Sequence, residues 1–166
     1  MIKRVSKVIF MLILLVVMLV GSQFQVYAAD PTEYLGKVVD GSLLTDKVEV
    51  EDTTSILTRG NILNKGTAKC TNAGDGNVTA TGIVLAHVIC DSLRVGISLE
   101  SYDTQLDAWY TVESWDVTEE NTAMLVKSFT VSVDKGHYYR TRGIHIAQKG
   151  DTTEQVTTLT DGILIN

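Results

Sequence analysis

The chain has 166 residues, with 14 Lys and Arg against 20 Asp and Glu and a formal net charge of −6. That balance excludes nucleic acid as a partner, because affinity for it rests on cations neutralising phosphates, and it disfavours anionic lipid surfaces for the same reason. The length suits a single domain large enough to bury well over half of its unfolded surface.

Residues 1–28 read as a signal peptide. Lys3, Arg4 and Lys7 make a cationic start, Val8 to Val20 form an unbroken apolar run, and Val26-Tyr27-Ala28 fits the small-residue rule at a cleavage site. The run is short of the roughly 20 residues that span a bilayer, so the expectation is export with cleavage after Ala28 or Ala29. The mature protein is then secreted, with no stable membrane insertion. It carries 11 basic and 20 acidic residues, a net of −9.

Residues 29–54 are expected to be an acidic leader. Asp30, Glu33, Asp40, Asp46, Glu49, Glu51 and Asp52 face only Lys37 and Lys47, which predicts an extended or partly disordered segment. Within it, Lys47-Val48-Glu49-Val50-Glu51 alternates well enough to dock as an edge strand.

Residues 55–166 read as the folded domain. Thr- and Val-rich runs at 66–72, 77–88, 93–102, 109–117, 124–134, 137–148 and 153–160 alternate with turn-forming residues. No later window holds a helical apolar stripe. The expected fold class is all-β, a single antiparallel β-sandwich of about seven strands resembling immunoglobulin or fibronectin domains. The tightest turn signal is Gly74-Asp75-Gly76-Asn77, with Asp75-Gly76 at the centre of a type I′ hairpin. If that register continues unbroken, Cys70 lies opposite Thr81 and far from Cys90. Cys70 and Cys90 are nonetheless a candidate disulfide in an exported chain, provided that the second strand bends back near Gly82.

Two resemblances rest on particular residues. Arg59-Gly60-Asn61-Ile62-Leu63-Asn64-Lys65-Gly66-Thr67-Ala68, then Asn72-Ala73-Gly74, then Gly136-His137-Tyr138-Tyr139-Arg140-Thr141-Arg142-Gly143-Ile144-His145, is similar to an uncharacterised family. Its members are small secreted Gram-positive bacterial proteins sharing a domain of unknown function. The resemblance covers residues 55–163 and implies export and a compact β domain, without implying an activity. Tyr139-x-Thr141-x-Gly143-x-His145, with Gly150-Asp151 after it, resembles the final hairpin of fibronectin type III domains, and implies only a sandwich.

Chemistry-bearing residues are sparse. His87, His137 and His145 lack any metal-ligand spacing, so neither metal nor cofactor is expected. Asn72 to Asn77 lacks the ligand pattern of a calcium loop. The strand serines lack a nucleophile elbow. Glu100 and Glu113, on neighbouring strands, are the one carboxylate pair that could face a cleft. Asn77-Val78-Thr79 matches a glycosylation sequon but is explained as the start of a strand. The candidate binding residues are Trp109, Tyr110, Tyr138, Arg140 and Arg142, of the types that binding surfaces favour; Trp109 is expected at an open sheet end and Trp115 in the core. The functional expectation is a secreted, non-catalytic binding module for a surface polymer, glycan or protein. The alternative is a structural or assembly protein pairing through edge strands, and a glycan-cleaving enzyme comes last.

Overall fold

The computed structural model describes residues 30–56 and 62–166; residues 1–28, expected to be a signal peptide, and Arg59 to Asn61 of the first resemblance motif lie outside them. Asp30 opens the described chain by accepting the Thr32 amide at 2.9 Å, and with Pro31 it starts a single 3-10 turn, Pro31–Tyr34. Nine strands follow: β1 Val38–Val39, β2 Ser42–Thr45, β3 Glu49–Ser55, β4 Leu63–Gly74, β5 Asn77–Asp103, β6 Ala108–Ser132, β7 His137–Lys149, β8 Thr152–Leu159 and β9 Gly162–Ile165. The fold is all-β.

The expected two-sheet sandwich is replaced by one curled sheet of mixed strands. Its order is β1-β2-β9-β7-β5-β4-β3, with β6 on β5 and β8 on β7. Every pairing is antiparallel except β2 with β9, where Leu44 and Thr45 run parallel to Gly162 and Ile163.

The curl comes from β5. Its first part pairs with β4 and its later part with β7, while β6 follows it on the other flank. Between Leu85, opposite Met124, and Cys90, opposite Thr122, the β5 chain bulges, and Asn121 on β6 takes a left-handed φ of 53°. Across the bulge the buried positions of β5 switch from even (Val78, Ala80, Val84) to odd (Leu93, Val95, Ile97, Leu99). The strand thus bends while keeping its apolar side inward. The runs expected as separate strands, 77–88 with 93–102 and 109–117 with 124–134, are two long bent strands. The turn-like residues between them mark the bend.

Bending lays one arm of the sheet over the other. Gly82 makes this possible: a Cβ there would come within 2.6 Å of Val95 and 2.8 Å of Ile97 on the same strand. The main core fills the space with Val50, Leu63, Cys70, Val84, Leu93, Ile97, Leu125, Tyr139 and Ile163 among others. A second, smaller core lies at the end where β1 and β2 cross. Val39, Leu44, Tyr102, Tyr138 and Leu164 pack there with Tyr34 and Trp109.

The acidic leader is therefore not a tail. Its residues supply β1, β2 and β3 and cover the second core. The proposed edge strand within it is real: β3 pairs with β4 from Glu49 to Ser55. The type I′ hairpin is also present, with Asp75 at φ 50° and Gly76 at 73° and Gly74 opposite Asn77. A bulge between Asn72 and Gly74 then shifts the ladder, so Cys70 faces Ala80 instead of Thr81. Both cysteines are free and buried, and burial pushes the Cys70 thiol up to about 12.

Candidate functional site

Three of the five candidate binding residues are committed to the interior. The Tyr138 hydroxyl donates to the Pro31 carbonyl at 2.8 Å, and burial pushes it up to about 12. Arg140 is 1% exposed. Its Nε donates to Glu100 Oε2 at 2.6 Å, and its terminal nitrogens donate to Ser42 Oγ at 2.9 Å and to Asp40 Oδ2 at 3.1 Å. The guanidinium carbon sits 4.3 Å from the centre of the Trp109 ring, whose own Nε1 donates to the Val39 carbonyl at 3.1 Å. These residues fasten β5, β6 and β7 to the N-terminal strands. They read as surface residues only because their cover, residues 31–45, read as a loose leader.

Arg142 and Tyr110 retain access. Arg142 is half-exposed and donates to Glu100 Oε1 at 2.8 Å. Tyr110 is 51% exposed, on a shallow groove with Val112, Ser132, Val133, Asp134 and Tyr139. Glu100 and Glu113 do not form a cleft. Glu100 is buried between the two arginines, whereas Glu113 is exposed opposite Leu99, across a register shift. His145 is buried, with Nε2 2.8 Å from Thr158 Oγ1. Burial lowers it to about 4, which keeps the ring neutral. Among the described residues no group of three or more His, Cys, Asp or Glu is placed to hold a metal.

The feature that stands apart is the outer edge of β6. Strand β6 runs from Ala108 to Ser132 and among the described residues pairs only with β5, so its far edge there presents unpaired backbone donors and acceptors along both arms. The opposite margin of the curled sheet is treated differently. There β3 and β8 are joined by side chains: Asp52 Oδ2 accepts the Leu159 amide at 2.7 Å, and Thr54 Oγ1 donates to the Thr157 carbonyl at 2.9 Å. Nearby, Glu154 accepts the Ile62 and Leu63 amides at 3.2 and 2.7 Å. The β3–β8 seam is closed by side-chain hydrogen bonds to the main chain, whereas the main chain of the β6 edge is left unpaired among the described residues.

The β6 seam has two lips, the two arms of β6, which touch through side chains. Across it Trp115 stacks on Phe129, with ring centres 4.7 Å apart and planes 3° from parallel, and Lys127 meets Glu119 at 2.7 Å. Trp115 is thus half-buried at the lip, packed against the main core on the side expected of it, whereas Trp109 lies against the second core instead of at an open sheet end. The first lip is acidic, with Glu113, Asp116, Glu119 and Glu120; the second carries Lys127 alone. Arg94 on β5 pairs with Asp116 through Nε at 2.7 Å and holds that carboxyl below its usual range. Exposed Tyr110, Val112, Met124 and Val126 also lie on β6. The signal available in the sequence was the one-sided charge of residues 113–120 inside an otherwise β-rich run.

A curled all-β domain whose long β6 has an unpaired main-chain edge among the described residues is the class that this geometry defines. The chain belongs to a family of unknown function, DUF6147, whose family model covers residues 31–162. That span begins before residue 55, in keeping with the structural place of β1, β2 and β3. Among curated proteins no match was found. No helix of the described residues is long and apolar enough to cross a membrane.

Proposed function

We propose that the protein is a secreted, non-catalytic binding module that engages a protein partner by strand addition along β6. The observation that carries this reading is the contrast between the two seams: at the β3–β8 margin side chains hydrogen-bond to the main chain, while the main chain of the β6 edge is left unpaired along both arms among the described residues, its arms touching only through side chains. Strand addition draws affinity from main-chain hydrogen bonds and specificity from alternate side chains, and β6 offers both. Export is supported by the cationic start, apolar run and Val26-Tyr27-Ala28 site. A structural role in assemblies outside the cell would use the same edge. Glycan stacking is less well supported, because Trp109 is engaged by Arg140.

Amide exchange on the mature chain tests the reading. Alternate β6 amides, those facing away from β5, should exchange fast in the free protein. They should slow when an extended Thr-Val repeat peptide is added, and not with the same peptide interrupted by proline. Full protection of those amides in the monomer, or no response to any extended peptide, would overturn it. N-terminal sequencing of secreted protein should begin at Ala29 or Asp30, and an intact Met1 on a membrane-bound form would refute export.

A further inference from the structure

Taking β6 as a binding edge, we infer that its first lip receives an extended, cationic segment of the partner protein, paired along Glu113 to Glu119. Adjacent strands place directly opposed side chains on one face of the sheet. The concave-facing residues of this lip are Glu113, Trp115, Val117 and Glu119; Trp115 and Val117 pack against the main core. A complementary segment presents a cation opposite Glu113, apolar residues opposite Trp115 and Val117 beside the Phe129 ring, and a second cation opposite Glu119 that takes the place of Lys127 there. Polar residues at the intervening places meet Ser114, Asp116 and Thr118.

Charge selects this occupant over a second copy of the chain. From Ala108 to Glu120 the lip holds four carboxylates and no cation, and the mature chain around it carries a net charge of −9. Asp116 has Arg94 and Glu119 has Lys127, but Glu113 and Glu120 have no ion-pair partner among the described residues. Two copies joined by a twofold axis along this lip would set the same carboxylates against each other, and like charges directly opposed destabilise a strand pair. The cations of a foreign segment would instead complete the charge pattern and speed encounter.

The probe is the acetylated, amidated heptapeptide Lys-Thr-Val-Thr-Val-Thr-Lys, titrated into the mature chain and followed by NMR shifts of the β6 amides. It should bind about tenfold more tightly than the same peptide with Glu in place of Lys, and about 0.5 M salt should remove most of that advantage. Glu113→Gln should weaken it about threefold, whereas Glu33→Gln, a remote loss of the same charge, should leave it unchanged. N-methylation of alternate peptide nitrogens should abolish binding by removing main-chain donors. Equal binding of the Glu peptide would overturn the cationic partner while leaving strand addition standing. Undiminished binding of the N-methylated peptide would show charge adhesion without pairing and overturn the inference. A concentration-dependent dimer with β6 protected would replace the foreign segment by a second copy. No β6 response to either peptide, or to the neutral Thr-Val repeat, would overturn the inference and the binding reading together.

Discussion

Replacing Arg140 by Met keeps a long apolar stem under Trp109 and removes the guanidinium. What remains is a Glu100 carboxylate, 7% exposed, that has lost its 2.6 Å partner, and a Ser42 hydroxyl and Asp40 carboxylate that have lost theirs. Breaking a buried ion pair from one side costs about 3–5 kcal/mol. Arg142 still reaches Glu100 at 2.8 Å from a half-exposed position, so the lower end, about 3 kcal/mol, is expected. Against the roughly 5–15 kcal/mol of a typical domain, that loss is large and easily read. Urea melts of the chain from Ala29 onward, followed by tryptophan fluorescence, measure it. The double variant Arg140→Met with Glu100→Gln removes the stranded charge and should recover about half. A loss below about 1 kcal/mol, or a double variant no better than the single, would refute the view that this cluster fastens the N-terminal strands.

His145 should make stability depend on pH. Its folded value of about 4 lies below its ordinary 6.5, so the unfolded chain takes up the proton first. Stability should therefore fall as pH drops from about 6.5 towards 4, by up to about 3 kcal/mol, and His145→Leu should flatten the urea midpoint between pH 6.5 and 5. Gly66→Ala places a Cβ 2.3 Å from the His145 ring and should destabilise by about 1–3 kcal/mol or more; a wild-type melt would show that the arms can part there. Trp115→Ala removes the stack on Phe129 and should cost about 1–2 kcal/mol, less than a fully buried tryptophan would, a difference that parallel denaturant melts resolve. A thiol assay should detect two free thiols per denatured mature chain and none accessible at Cys70 in the native one. A single disulfide would contradict the free cysteines.

Alternation in Val95 to Leu99 and in Phe129 to Val133 made the strands legible, because period-two burial depends only on local sequence. The Asp75-Gly76 turn was legible for a similar reason, since two successive left-handed residues leave few alternatives. What could not be read was which side of a strand would be covered by distant chain. Tyr138, Arg140 and Trp109 look like a binding surface until Val39 and Leu44, some 70 to 100 residues earlier in the chain, are laid over them. The Cys70 register failed through one bulge next to the turn, which moves every later pair by a residue. The continuity of β5 through Cys90 was hidden because polar, turn-like residues at a bend resemble those of a true reversal. The open lip of β6 is a property of topology, and only its one-sided charge was visible in the sequence.

The parallel pairing of β2 with β9 has a consequence for the order in which the molecule can be completed. It joins Leu44 to Gly162, nearly the two ends of the described chain, so β1 and β2 must wait until β9 has been made. Closing so long a loop is entropically costly and slow compared with the β4–β5 hairpin. A chain emerging N-terminus first would hold Val39, Leu44 and the Arg140 cluster uncovered until Ile163, Leu164 and Ile165 arrive. The four-residue β9 thus works as a latch: until it closes, β1 and β2 have no sheet to join.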